Sequence, residues 1–356
     1  MKKIVSLLVT AAMGVGLAAC SGGTAADNGK GTIWYSTKNS TEQVHVAFAN
    51  GVEAEAQALG FNADTVVAEA DAAKQNDQLN NLIMNMNPAA IVVNPYDSDS
   101  VADVLNRARD KGIPIAVIDN KANNVEVDLS VLFDSYASGV AAGEKAVELL
   151  TERYGEPKGV VVNLFGEVVS QVFKDRAAGF EDTIKKYPNI TLKSALGAPE
   201  ADVATSTLNN ILADAKASGE KIDLVNTPTD TATLGVIESL KTNGLWLKSD
   251  DPNHVMVISH DGLGDILDQV EEGYVDAEVV IDVFGVGGIA VEVLNEYPMQ
   301  DKAVPSSGTF TPKGKYLNKE VTFEQGDNGP TIMLDPVVVD AETAADPLIW
   351  GNAEAE

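Results

Sequence analysis

The sequence predicts an α/β protein built from two doubly wound, parallel-sheet halves, and three observations carry that expectation. Short apolar stretches alternate with segments of helical spacing along most of the chain. The apolar stretches are continuous Val/Ile runs, which marks strands buried on both faces under covering helices. Around Val131 the whole rhythm starts again. At 356 residues and 45% hydrophobic content, the chain has the material for two cores.

In the first half, residues 32–36 (TIWYS) read as a strand. Ser40, Thr41, Glu42 and Gln43 suggest a capping box. Val44, Phe48, Val52 and Leu59 then follow at helical spacing, with Glu55 interrupting the stripe. Further strands are expected at residues 65–68, 90–94 and 113–119. Between them, Leu79, Leu82, Ile83 and Met86 mark one helix, and Val101, Leu105 and Ala108 mark another that Gly112 closes. In the second half, strands are expected at residues 159–164, 191–195, 222–226, 255–259 and 277–281, with helices between them. Residues 298–329, rich in Pro, Gly and Lys, break the rhythm and read as a surface excursion. Residues 332–339 read as one last strand, and the acidic tail 340–356 is expected to be partly ordered through Leu348, Ile349 and Trp350.

The first twenty residues stand apart. Lys2 and Lys3 precede an apolar run over residues 4–17, and Leu17-Ala18-Ala19-Cys20 has the layout of a bacterial lipoprotein signal. The run is too short to span a bilayer comfortably. The expectation is therefore removal of residues 1–19, lipidation of Cys20, a flexible tether over residues 21–30, and an extracytoplasmic protein held to a bacterial membrane by its lipid alone. Cys20 is the only cysteine, so no disulfide or thiolate metal site is expected. The formal net charge of −28 moves to −30 once Lys2 and Lys3 are gone. Such a chain repels nucleic acid and anionic lipid, so neither is an expected partner.

Ligands of open α/β sheets bind beyond the carboxyl ends of the strands. Those ends carry Ser36, Asn94, Asp119 and Asn120 in the first half, and Phe165, Thr229, His260, Asp261 and Asp282 in the second. Arg176 lies early in a second-half helix. Carboxylates accept from neighbouring hydroxyls and an arginine donates in a fork, so the set suits a small, neutral, hydroxyl-rich ligand. Trp34, Tyr96, Phe133 and Phe165 are candidates for an apolar platform against a sugar face.

Four stretches carry a family resemblance: residues 93–100 (VNPYDSDS), 112–119 (GIPIAVID), 175–180 (DRAAGF) and 260–262 (HDG). With them the chain resembles the sugar-type substrate-binding lipoproteins of ABC importers, in the type I periplasmic binding protein superfamily, near ribose-binding proteins. The resemblance runs through most of residues 33–339. It implies two lobes joined by three crossover strands, near Phe133, Ile281 and Asp335, with the ligand held between them. One lobe would comprise residues 31–132 with 283–334, the other 133–282 with 335–356. It further implies a monomeric receptor, without cofactor or catalytic residues, that delivers a monosaccharide to an ABC permease. Ser36, Asn94, Asp119, Arg176 and Asp261 match ligand-contacting positions. The chain departs from the ribose pattern at Asn120, where arginine is expected, in the region Gln43, Val44 and His45, where a pair of aromatics is expected, at Thr229, where asparagine is expected, and at His260, where an aromatic is expected. The second crossover aligns on either Ile281 or Asp282.

Rival readings are fewer. A receptor that presents a sugar, nucleoside or furanose signal to a membrane sensor would use the same binding chemistry. Gly285, Gly287 and Ala290 match Gly-x-Gly-x-x-Ala, which makes an exported dinucleotide enzyme conceivable, although the motif does not follow the first strand. His45, His254 and His260 have no metal-binding spacing. A repressor would need a helix-turn-helix where the signal peptide sits.

Overall fold

The computed structural model describes residues 29–168, 170–197 and 200–353, and Cys20 with the signal segment lies outside them. The first run is β1 (Thr32–Thr37), α1 (Gln43–Ala58), β2 (Asn62–Val67), α2 (Ala72–Asn81), β3 (Ala90–Val93), α3 (Ala102–Asp110), β4 (Ile115–Asp119) and β5 (Leu129–Phe133). The second is α4 (Ser135–Tyr154), β6 (Gly159–Phe165), α5 (Gln171–Ile184), β7 (Ile190–Leu196), α6 (Ala201–Ser218), β8 (Leu224–Asn226), α7 (Asp230–Thr242), β9 (Met256–Asp261), α8 (Gly264–Glu271) and β10 (Ala277–Val280). The chain then returns through α9 (Val283–Glu296), β11 (Gly308–Phe310), β12 (Val321–Gly326) and β13 (Gly329–Leu334), and ends on β14 (Val337–Val339).

These strands form two sheets, ordered β11-β12-β13-β5-β4-β3-β1-β2 and β14-β10-β9-β8-β6-β7. Pairing is parallel from β13 to β2 and from β10 to β7; only β11, β12 and β14 run antiparallel to their neighbours. The chain passes between the sheets after Phe133, between Val280 and Val283, and between Leu334 and Val337. The predicted α/β architecture is thus present. The Val/Ile runs behave as their composition demands, with every residue of β3, β5 and β10 buried.

Three local expectations are corrected. Residues 298–329 are not simply a surface excursion, because β11 and β12 extend the first sheet from β13. In β12, buried Val321 and Phe323 alternate with exposed Thr322 and Glu324, the period of a strand with one covered face. The segment 332–339 is two strands in different sheets, separated at Asp335 and Pro336. The capping box does not form. Instead the Asn39 Oδ1 accepts from the Thr41 and Glu42 amides at 3.1 Å each, and its Nδ2 donates to Glu42 Oε1 at 2.7 Å. Glu55, which interrupts the stripe of α1, accepts a 2.9 Å bond from the Tyr316 hydroxyl.

Two contacts brace the strand ends of the second sheet. Helices α4 and α5 cross backbone to backbone: a Cβ on Gly139 would lie 2.0 Å from the Arg176 carbonyl, and one on Gly179 would lie 2.1 Å from the Tyr136 carbonyl. The crossing therefore fixes the helix that carries Arg176. At the other side, Ile349 and Trp350 of the tail are buried, and the indole Nε1 donates to the Asp261 carbonyl at 2.6 Å. Among the described residues no helix is long and apolar enough to cross a membrane.

Because neither helix can retreat without opening a core, Gly139→Ala is expected to destabilise the protein by about 1–3 kcal/mol, read as a lower urea midpoint at unchanged slope. A midpoint equal to wild type would contradict the crossing.

Candidate functional site

In the first half, the carboxyl ends of β1, β3 and β4 bring Ser36, Asn94, Asp119 and Asn120 together. The buried Gln75 of α2 ties the row, its Nε2 donating to Ser36 Oγ at 3.1 Å and to the Asn94 carbonyl at 2.9 Å. Asn94 Nδ2 donates to Asp119 Oδ2 at 3.0 Å, and the same oxygen accepts from Lys38 Nζ at 2.9 Å. Asp119 Oδ1 is left without a bond from the described residues. Asn120 Nδ2 donates to the Pro95 carbonyl at 3.0 Å, while the buried Oδ1 atoms of Asn94 and Asn120 have no partner. Burial would raise the Asp119 carboxyl, but the Lys38 ammonium and the hydrogen bonds outweigh it and hold the group below the ordinary carboxylate range. Burial, assisted by Lys38, pushes the His45 ring of α1 down to about 3, so it stands neutral beside this pair.

In the second half, Arg176 is buried on α5. Its guanidinium donates to the Pro228 carbonyl and stands 3.5 Å from Asp261 Oδ1, and its Nε has no partner. Phe165 ends β6 and packs near Arg176 and Phe173 around a very small void. Burial pushes the Asp261 carboxyl well above its ordinary value; Arg176 pulls it back, while Asp230 and, from the first half, Glu42 and Asp119 add to the rise. Asp261 is therefore influenced by carboxylates of the other half.

The backbone marks the same two residues. Asp119 (φ 61°) and Asp261 (φ 113°) are both in left-handed conformations that L-residues other than glycine seldom adopt. Each ends a parallel strand, one in each half. Such conformations persist only where their surroundings over-determine them, and they concentrate at ligand clamps.

A cavity of about 360 Å³ opens beside Asp119 and Asn120 and reaches Phe133, Tyr136, Gln171 and Asp175, so residues of both halves line it. Arg176 and Asp261 lie outside this lining.

Three further candidate residues also have internal partners. Thr229 Oγ1 caps α7, accepting from the Ala232 amide at 3.2 Å. The fully buried His260 donates from Nδ1 to the Thr227 carbonyl at 2.9 Å, and burial and Arg176 keep the ring neutral. Asp282 caps α9 through the Gly285 amide at 2.9 Å and accepts from Asn318 at 2.8 Å, which accounts for both its oxygens. The glycines after Asp282 are close-packing positions inside α9: a Cβ on Gly287 would meet Val52, and one on Gly288 the Tyr316 hydroxyl. The Gly-x-Gly-x-x-Ala match is therefore explained by helix packing.

Lys38, Gln75, Asp230 and Glu278 were not singled out from the sequence. Lys38 follows the first strand by one residue, a basic group in a strongly acidic chain. Glu278 is an acid within a buried Val run, which was the available signal. Asp230 Oδ2 accepts from the Gly262 and Leu263 amides at 2.9 and 2.6 Å, and Glu278 Oε1 accepts from the same Gly262 amide at 2.5 Å. The two carboxyl groups thus converge on one N–H. Burial raises both; Asp230 adds to the rise of Glu278, while the hydrogen bonds that Asp230 accepts hold it lower, at about 6.

Similarity to known proteins places the chain. The periplasmic binding protein domain matches residues 33–301. The chain belongs to the periplasmic binding protein family. Among its relatives, the ribose import binding protein of Bacillus subtilis is 24% identical over 83% of this chain and 93% of its own. The xylitol-binding protein of Mycolicibacterium smegmatis is 27% identical over 76% and 73%. A solved ABC transporter solute-binding protein from Actinobacillus succinogenes with bound D-allose matches with a TM-score of 0.73 at 20% identity, covering 89% of this chain and 99% of that one. One from Bacillus halodurans with bound myo-inositol matches at 0.72 and 22%, over 92% and 100%. At these identities the structures establish the fold, that of type I periplasmic binding proteins, a family of non-enzymatic solute receptors.

The raised carboxyls of Asp230 and Glu278 set a pH dependence. A carboxyl raised on folding contributes stability that is full below its unfolded value, about 4, and is lost as pH rises through the folded value. His45, depressed on folding, contributes stability that is present above about 6.5 and lost as pH falls toward its folded value. Glu278→Gln keeps the shape and removes the charge. Its melting temperature is expected to fall less than that of wild type as pH rises from about 4, the unfolded carboxylate value, through neutrality. Parallel melting curves over that range would show that the raised Glu278 carboxyl carries no pH-dependent stability.

Proposed function

We propose that this periplasmic binding protein is a lipid-anchored receptor that captures a monosaccharide or similar small polyol between two lobes and delivers it to an ABC importer. The observation that carries the reading is the pair Asp119 and Asp261. Two strand-end carboxylates, one from each sheet, are both held in left-handed backbone, and Asp119 adds to the upward shift of Asp261. A ligand with several hydroxyls bridges such a pair by donating to both. The relatives that bind ribose and xylitol by name support the class. We assign one lobe to residues 31–132 and 283–334 and the other to 133–282 and 335–356. The three passages between the sheets then serve as the hinge, and the ligand shifts the population toward the closed form by its higher affinity for that form. The remaining candidate residues divide between direct contact (Ser36, Asn94, Asn120, Phe165 and Arg176) and support of the strand ends (Thr229, His260 and Asp282). We further assign the lipid to Cys20, which makes the protein an extracytoplasmic monomer tethered to a bacterial membrane.

Thermal unfolding of the protein lacking residues 1–20, against a panel of pentoses, hexoses, polyols and nucleosides, tests the ligand class. A ligand at a hundred times its Kd adds about 2.7 kcal/mol of stability. Asp119→Asn and Asp261→Asn are each expected to cost about 2–5 kcal/mol of binding, on the order of thirtyfold or more in Kd. Normal affinity in both variants would remove the pair from the site. For the anchor, Cys20→Ala in the full chain is expected to move the protein from the membrane to the soluble fraction and to abolish labelling by a fatty-acid probe. Retention of both properties would refute lipidation.

A further inference from the structure

We propose that Lys38 is a specificity-determining residue of the cleft: it fills on Asp119 the place that a ligand ammonium would take, so the site accepts uncharged polyols and turns away their amino counterparts. The inference rests on the sugar-receptor reading and adds to it a residue and a direction of discrimination.

The geometry is direct. Lys38 lies just beyond β1 and places Nζ 2.9 Å from Asp119 Oδ2, with both side chains largely buried. No other cation among the described residues pairs with Asp119. The remaining neighbour on that oxygen, Asn94, is neutral. Lys38 therefore supplies the whole counter-charge of the carboxylate, as a compact ammonium with two further N–H donors available.

The charges around the pair give the position its consequence. Glu42, the N-cap of α1, adds to the rise of Asp261, and burial first, then Glu200 and Glu42, raise Glu167 of the second half while Lys38 lowers it. The second aspartate, Asp261, has its own cation in Arg176. With Lys38 present, each aspartate has one cation. With Lys38 absent, Asp119 would lose its ion pair, the one it makes among the described residues. An incoming amine would then gain an ion pair that a hydroxyl cannot offer. Lys38 thus discriminates by occupying the acceptor and by repelling a second cation, while leaving Asp119 Oδ1 for a ligand hydroxyl.

The pair could instead serve only to hold the ends of β1 and β4 together, and the test must separate these roles. Wild type, Lys38→Met, Lys38→Gln and Lys38→Arg would be titrated calorimetrically with D-glucose, D-galactose and D-ribose, each against its 2-amino-2-deoxy counterpart at pH 6.5. Wild type and Lys38→Arg are expected to bind the better neutral sugar at least tenfold more tightly than its amine. In Lys38→Met that preference is expected to shrink or reverse by tenfold or more. Lys38→Gln carries the test if the methionine variant does not fold, as judged by its melting curve without ligand. A purely structural role predicts that neutral sugar and amine weaken in equal proportion, and that result overturns the proposal. So does wild type binding an amine as tightly as its parent sugar. If wild type binds none of the six probes, nor any member of the thermal panel, the sugar-receptor reading itself falls and this inference falls with it.

Discussion

A strand buried on both faces can offer polar side chains only where it ends. That constraint governs this protein. Its parallel strands are covered on both sides by helices, so their interiors are mainly Val, Ile, Leu and Ala, with Ser130 and Glu278 among the buried exceptions. Parallel order then delivers the carboxyl ends of neighbouring strands to one edge of each sheet. Ser36, Asn94, Asp119 and Asn120 meet because β1, β3 and β4 are neighbours in the order of the first sheet. Asp261 comes from the corresponding edge of the second. The polar groups of the cleft are where they are because the core leaves them nowhere else to go.

The same constraint explains what could be read from the sequence. Buried parallel strands announce themselves as apolar runs, so their last residues can be named with little ambiguity, and the first-half cluster follows. Strands β11 and β12 escaped because their half-buried alternation is short and sits among Pro, Gly and Lys. The split of residues 332–339 into β13 and β14 depends on Asp335 and Pro336 changing sheets, which a continuous apolar reading passes over. At the site, Asp282 looks like any other strand-end acid; only the approach of Asn318, 36 residues later in sequence, occupies its second oxygen. Thr229 and His260 were named for their position, but their bonds to the Ala232 amide and the Thr227 carbonyl are local facts of the α7 and β9 geometry. Glu278 shows in the sequence only as an acid within an apolar run, and what it does appears when the turn after β9 brings the Gly262 amide to it.

Electrostatically, the two halves use different means to a common end. Around Asp119 the carboxylate is kept charged by a compact ammonium and two hydrogen bonds. Around Asp261, burial and neighbouring acids favour the protonated form, and a single guanidinium, itself engaged by the Pro228 carbonyl, opposes them. One edge of the cleft thus has a fixed charge and the other an adjustable one, although both aspartates share the same unusual backbone conformation. The close crossing of α4 and α5 gives Arg176 little freedom to follow changes in that balance.

The return of the chain to the first sheet has a temporal consequence. Strand β13 pairs with β5 in a register that joins Thr331 to Ser130, a separation of about 200 residues. The indole that bonds the carbonyl of Asp261 comes later still, at Trp350. As the chain is synthesised from its amino end, the residues that face the cleft emerge long before the segments that close the sheet and brace the turn beside them. The protein therefore completes its cleft only after nearly the whole polypeptide has been made. Topology of such long range folds slowly, so an incomplete or still-threading chain has both its ligand-facing ends and no finished place to hold a ligand.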